Sequence, residues 1–201
     1  MQDRSRAGVG LGALSIACLM ASPAWAHDPS GMAGGFLSGL KHPVSGLDHL
    51  LAMFAVGLWG AYLGRPLVVA LPVIFPAVMV LGGLLGIAGV PIPPVEVGIA
   101  LSVFLLGAAI AAAYRAPVWL ACALVGVFGL FHGYAHGQEL PTAADPVAYG
   151  LGFVLATGAL HGAGILVGLL NARPGGRTLT RLIGGAIAVA GLWFLFRAVA
   201  G

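Results

Sequence analysis

Charge is what this chain has least of. Only 7% of its 201 residues are Asp, Glu, Lys or Arg, against about 25% in an ordinary soluble domain, and 60% are hydrophobic. A solvated surface cannot be built from that composition, which excludes a soluble globular domain. The two cysteines, Cys18 and Cys122, are too few for a disulfide framework or a thiolate metal site. None of the 33 glycines belongs to a G-x-x-x-x-G-K-[ST] phosphate loop, so ATP-driven pumping by this chain is excluded. The net charge of +3 comes without a basic patch interleaved with aromatics, which removes nucleic acid as a partner. What is there instead is a series of apolar runs long enough to cross a bilayer, and lipid is the first partner they imply.

Residues 1–26 read as a secretory signal peptide. Arg4 and Arg6 supply the positive start, Gly8 to Met20 a short apolar core, and Ala24-Trp25-Ala26 an A-x-A cleavage site. Two rivals stand beside this reading. Lipidation at Cys18 is one, although Ser15 stands where a lipobox usually carries Leu; an uncleaved anchor is the other, although the apolar core is short for it. Cleavage leaves His27 at the new N-terminus, outside the cytoplasm, and a single domain over 27–201. From Gly31 to Lys41 the Gly-rich chain suits a loop or an interfacial segment. Six spanning helices are predicted after it, over 43–63, 67–90, 95–113, 117–136, 147–170 and 179–200. Pro66, Pro91-Ile92-Pro93-Pro94, Pro117, Pro141 with Pro146, and Pro174-Gly175-Gly176 punctuate them. The expected fold class is therefore an all-α membrane protein of six transmembrane helices following a cleaved signal. With His27 outside, the inner loops hold Arg65, Arg115, Arg173, Arg177 and Arg181, and the outer regions only Lys41 and Arg197. That asymmetry agrees with the positive-inside rule and puts both mature termini in the periplasm of a bacterial inner-membrane protein.

On this topology the ionisable ligands fall on one side. His42-Pro43-Val44-Ser45-Gly46-Leu47-Asp48-His49 opens the first span, with Pro43 suited to a first helical turn. His42 and His49 return to nearly the same helix face about 10 Å apart. Asp48 is placed to share their ion or to orient an imidazole. His132 and His136 stand at i and i+4 near the outer end of the fourth span, and Glu139 extends their stripe if the helix continues. His161 lies about 20 Å down the fifth span, near the midplane. Each of these has an ordinary alternative: an interhelical hydrogen bond for His161, an amphipathic helix end for His132 and His136, a packing pair for Asp48 and His49, an interfacial polar residue for His42. All of them together, in a chain with so few charges, favour a metal site, because ionisable groups are costly in a membrane.

Imidazole and carboxylate without thiolate suit Ni²⁺, Co²⁺, Zn²⁺ or Cu²⁺ rather than Cu⁺ or Mg²⁺. His27 could chelate through its amino group and ring together. Met32, Met53 and Met79 read as packing, as does Cys122. Gly129, Gly133 and Gly137 form a ridge of small residues, as do Gly158-x-x-x-Gly162 and Gly164-x-x-x-Gly168. Such ridges let helices approach in lipid and are expected to draw His132, His136 and His161 towards one seam. Pro72 and Pro76 are expected to kink the second span.

His-Pro-x-x-Gly-x-Asp-His followed by Leu-Leu-Ala-Met-Phe-Ala-Val-Gly-Leu-Trp, and Phe-His-Gly-x-Ala-His-Gly-x-Glu further on, resemble the HupE/UreJ family over the whole chain. The resemblance implies a secondary permease for nickel, or for cobalt in some members, serving hydrogenase or urease maturation. It carries over His42, Asp48 and His49 from the first motif and His132, His136 and Glu139 from the second. It implies no prosthetic group, only a bound or transported Ni²⁺ or Co²⁺, with Cu²⁺ and Zn²⁺ behind them. The maturation proteins enter as indirect partners, and assembly of several copies of the chain stays open. Two other classes compete: a periplasm-facing metal-binding or assembly factor that transports nothing, and an intramembrane metalloenzyme. The last finds no base or nucleophile left once the ligands are used.

Overall fold

The computed structural model describes residues 31–92, 94–140 and 145–200. The expected signal segment, its cleavage site, Cys18 and His27 lie outside these described residues. Seven α-helices follow one another: α1 Gly31–Ser45, α2 Leu47–Leu63, α3 Leu67–Ile87, α4 Val95–Ala111, α5 Val118–Gln138, α6 Pro146–Gly168 and α7 Gly176–Ala200. A short 3-10 turn, Leu169–Ala172, prolongs α6. No strand occurs among the described residues.

The helices α3, α5, α7 and the extended α6 are each long and apolar enough to cross a membrane, and α1 with α2 makes a fifth, bent candidate. At 17 residues α4 is shorter, about 25 Å of helix against a hydrocarbon core of about 30 Å. Among the described residues, length and composition thus give four spans, or five with the bent pair, where the sequence reading expects six. Leu81, Leu84, Leu155, Leu166 and Phe196 are more than half exposed on the outside of the bundle, as an exterior facing lipid would be.

The entrance to the first span differs from the sequence expectation. Gly31–Lys41 is not a loop but the body of α1, and Pro43 sits in the last turn of that helix, not the first turn of the next. Pro43 donates no N–H, and the chain turns by 82° between α1 and α2, with Gly46 in extended geometry as the hinge. Ser45 caps the exposed end by donating from Oγ to the His42 carbonyl at 2.7 Å.

Glycine sets which helices meet. A Cβ on Gly129 or Gly133 would strike the carbonyls of Phe75 and Met79, and one on Gly137 that of Gly83. This ridge therefore seats α5 on α3. In return Gly82 and Gly86 of α3 admit the α5 backbone at Leu130 and Tyr134. Gly39 of α1 and Gly57 of α2 lie against the Tyr149 and His161 carbonyls of α6, while Gly152 and Gly164 admit Phe36 and Phe54. Gly107 and Gly184 join α4 to α7. Gly158 and Gly162, expected to be a packing ridge, meet nothing within 4 Å; only the Gly164–Gly168 half of the α6 pattern is used. The second span shows Pro72 and Pro76 inside one continuous helix, Leu67–Ile87.

Alternation of direction leaves two ends. One gathers the starts of α2, α4 and α6 with the finishes of α3, α5 and α7. Asp48, Glu96, Trp193 and Arg197 line one cavity there. The other end gathers the finishes of α2 and α4 with the start of α7, where Tyr62, Arg115, Asn171 and Arg177 line another. Between them runs a core of Met53, Leu58, Trp59, Leu71, Phe75 and Leu106, none more than 1% exposed.

Candidate metal centre

The bend at Gly46 changes how the histidines meet. His42 and His49 do not lie along one face of one helix: His42 is carried by the end of α1 and His49 by the start of α2. They converge on the last turns of α5. The His42 ring lies 4.7 Å from that of His136, and the His49 ring 4.5 Å from His136 and 4.9 Å from His132. Four imidazoles from three helices make one cluster. Helix α5 ends at Gln138, so Glu139 does not continue the stripe as a helical residue. It occupies the C-cap, from which its Oε2 comes 3.3 Å from His42 Nε2 and 3.9 Å from His136 Nδ1. His42, His136 and Glu139 each offer one ligand atom within 4.8 Å of the others. The group could hold a metal ion.

Hydrogen bonding settles which nitrogens are free. His49 Nδ1 lies 2.8 Å from Asp48 Oδ1. A carboxylate accepts only, so Nδ1 carries the proton and the lone pair is left on Nε2. His132 Nδ1 likewise points at the Phe128 carbonyl at 2.9 Å, again leaving Nε2 as the donor atom for a metal. Both Nε2 atoms are buried and without a partner, as are both ring nitrogens of His136. Buried polar atoms are rarely left so, and a carboxylate or carbonyl holding the far nitrogen is the usual orienting arrangement behind a ligating histidine. Asp48 thus has the orienting part of its two expected roles. Gly46 makes room for it: a Cβ there would stand 3.0 Å from Asp48 Oδ1 and 3.2 Å from His49 Nδ1.

His161 is buried on α6 at 1% exposure and makes no ring contact with the cluster. Phe75 stands between them, its ring 5.3 Å from His132 and 5.5 Å from His161. Both nitrogens of His161 lack a hydrogen-bond partner. The backbone of Pro72 adjoins its ring; Pro76 has no N–H to take the Pro72 carbonyl, which is left free of the helical ladder. The buried hydroxyls of Thr157 and Ser102 are engaged elsewhere. Thr157 Oγ1 donates to Met53 Sδ at 3.4 Å, and Ser102 Oγ to the Ile99 carbonyl at 2.6 Å.

Aromatic residues complete the walls, and sequence reasoning missed them. Phe153 packs 4.2 Å from His136 and Tyr149 5.9 Å from His42; the two stand one turn apart on α6. Nothing in an apolar run marks such rings as site residues, although their i, i+4 spacing could have placed them together. The ridge Gly129–Gly133–Gly137 was expected to draw His132, His136 and His161 to one seam. It instead seats α5 on α3, and the α6 histidine reaches the region through Gly57 on α2. Behind Asp48, a cavity of about 410 Å³ lined by Asp48, Glu96, Trp193 and Arg197 opens at the same end of the bundle.

The family model described as HupE / UreJ protein matches residues 15–194. Protein HupE of Rhizobium leguminosarum bv. viciae is 46% identical over 173 residues, covering 86% of this chain and 91% of its own length. No solved structure matches the chain.

Proposed function

The chain belongs to the HupE/UreJ family, and from that premise we propose that it is a secondary permease for a divalent transition metal, Ni²⁺ before Co²⁺. The observation that carries the reading is the cluster of His42, His49, His132 and His136, the last two buried, with Glu139 at its rim. Nε2 of His49 and of His132 and both ring nitrogens of His136 have no hydrogen-bond partner, and His42, His136 and Glu139 bring one ligand atom each within 4.8 Å of the others. Imidazole and carboxylate together suit a borderline ion, and geometry or supply must then disfavour Cu²⁺ and Zn²⁺.

In this reading the ion enters from the end where Asp48 and Glu96 border the open cavity and exchanges water for the cluster nitrogens. It then passes Phe75 to His161, the one imidazole among the described residues that lies beyond the cluster. A divalent ion needs such a polar step, since hydrocarbon alone is prohibitive to it. The positive-inside pattern supports a periplasmic histidine end, an inner-membrane location and periplasmic mature termini after loss of the signal. It requires α4 to be the remaining span, and its short length calls for local thinning of the bilayer. Delivery to hydrogenase or urease maturation follows from the family resemblance.

A second reading is favoured by one observation: the ligands are concentrated at one end, as in a protein that holds metal for a partner. His161→Ala separates the two. A permease loses radioactive Ni²⁺ uptake in cells while purified protein still binds Ni²⁺ within about threefold of wild type. Undiminished uptake in that variant would remove His161 from the path.

A further inference from the structure

The end of the bundle opposite the histidines holds a second, differently built cavity. It measures about 270 Å³ and is lined by Tyr62, Arg115, Asn171, Arg177, Thr180 and Arg181. Three guanidinium groups face it, and none has a carboxylate partner: every ion pair among the described residues joins a histidine to Asp48 or Glu139. Only backbone and ring contacts hold the arginines. Arg181 Nε donates to the Ala111 carbonyl at 2.8 Å, and the Arg115 guanidinium lies over the Tyr62 ring at 5.6 Å. The cavity is also bordered by the first turns of the 25-residue helix α7, whose N-terminal end adds positive potential.

The walls are fixed in place. Tyr62 Oη donates to the Ala113 carbonyl at 2.7 Å, which holds Ala113 in the left-handed region at φ 54°. Trp59 Nε1 donates to the neighbouring Tyr114 carbonyl at 3.3 Å. Asn171 Nδ2 donates to the Gly168 carbonyl at 2.7 Å, so its amide orientation is set and Oδ1 is the atom left over. That oxygen is buried and has no donor. The pocket therefore offers unneutralised guanidinium charge between fixed walls.

We infer that this pocket binds the phosphodiester of an anionic lipid headgroup, with the phosphate on Arg115 and Arg177. Phosphatidylglycerol is a lipid of that chemistry. A basic pocket at helix ends is where such headgroups are taken up, and guanidinium is the side chain that matches phosphate in two-point fashion. The proposal stands apart from the metal site and does not depend on what that site carries.

The test uses the full chain in mild detergent. Retained lipid is counted by native mass spectrometry, and thermal unfolding is followed by tryptophan fluorescence. Phosphatidylglycerol should be retained and raise the Tm, whereas phosphatidylcholine should do neither, and millimolar inorganic phosphate should not displace the lipid. Arg115→Gln with Arg177→Gln should weaken retention by about tenfold for each guanidinium lost. Arg181 is left intact because it anchors Ala111. Equal retention of phosphatidylglycerol and phosphatidylcholine by the wild-type protein overturns the inference without any variant. So does phosphate alone reproducing the Tm rise, which would make a free anion the occupant. Unchanged retention in the double arginine variant overturns it equally.

Discussion

The two ends of this bundle handle scarce polar groups in opposite ways. At one end imidazoles are pulled inside, stripped of hydrogen-bond partners on one nitrogen, and held by Asp48 and the Phe128 carbonyl on the other. At the other end Arg115, Arg177 and Arg181 stay exposed, Arg181 on the Ala111 carbonyl and Arg115 over the Tyr62 ring. A buried group without a partner costs about 1–3 kcal/mol. Keeping several at one spot makes sense only if something else satisfies them, and unprotonated ring nitrogens can be satisfied by a cation. Exposed guanidinium groups carry no such penalty. The contrast teaches that the sign of a cluster says less than which of its atoms are left over.

The sharpest way to break the contrast is His136→Ala. Its ring touches those of His42 and His49 and neither of its nitrogens is used by the protein. Its removal should therefore lower Ni²⁺ affinity by about a hundredfold or more, beyond the tenfold to hundredfold typical of a residue that merely orients a ligand. Titration calorimetry on the purified protein measures this. Arg115→Gln at the far end, assayed alongside, should leave the affinity within about twofold. Equal effects from the two would mean that the ends are not functionally distinct.

Much of that contrast was legible in the sequence, and the failures have physical causes. Composition alone implied helices in lipid, and the helix limits differ from expectation by a few residues, as at Ile87, where the run ends before Gly89 turns into left-handed geometry at φ 66°. The one-sidedness of the histidines was visible as soon as the helices were laid end to end. What periodicity could not reveal is the bend at Gly46. Pro43 fits the first turn of one helix as well as the last turn of another in sequence terms, and only packing on α6 decides. Gly31 to Lys41 looked like a loop because glycine is a poor helix former. Yet Gly35 and Gly39 are there so that α1 can lie against the backbone at Asp145 and Tyr149. The same ambiguity ran the other way at Gly158 and Gly162, whose small-residue spacing is identical to that of a used ridge. Phe75 and Phe153 were invisible as site residues since an aromatic in an apolar run signals burial and nothing more.

A finer distinction is drawn within the histidine end by Asp48→Asn. Asp48 is bound to His49 Nδ1 at 2.8 Å and also accepts from the His49 backbone N–H at 2.8 Å. The amide can still accept through its oxygen, so the His49 tautomer survives. The negative charge that raises the basicity of the far nitrogen is lost. Ni²⁺ affinity should fall by about tenfold, the lower end of what orienting carboxylates contribute, with the fold unaffected by circular dichroism. A loss as large as that of His136→Ala would make Asp48 a direct ligand. No loss at all would reduce the pair to a packing contact.

The smallest effect is expected at the rim of the cluster, from Glu139→Gln. Glu139 sits past the end of α5 with its side chain 54% exposed, 3.3 Å from His42 Nε2 and 3.9 Å from His136 Nδ1. Its burial is slight, so water competes for its oxygens and screens its charge. Exposed ion pairs of this kind are worth about 0–1 kcal/mol, which corresponds to a factor of about five at most in a binding constant. Glutamine keeps a carbonyl oxygen of the same reach, and a water molecule can complete the coordination where the charge has gone. The affinity for Ni²⁺ should therefore drop by about fivefold or less, clearly less than for Asp48→Asn. A larger part of the change should appear in the association rate, because a charge at an entrance acts on encounter more than on residence. Stopped-flow binding at two salt concentrations separates the contributions: the rate difference between Glu139→Gln and wild type should shrink as salt is raised. A hundredfold loss that salt does not touch would place Glu139 inside the coordination sphere with His42 and His136, and would move the boundary between the buried cluster and its solvated rim out past the end of α5.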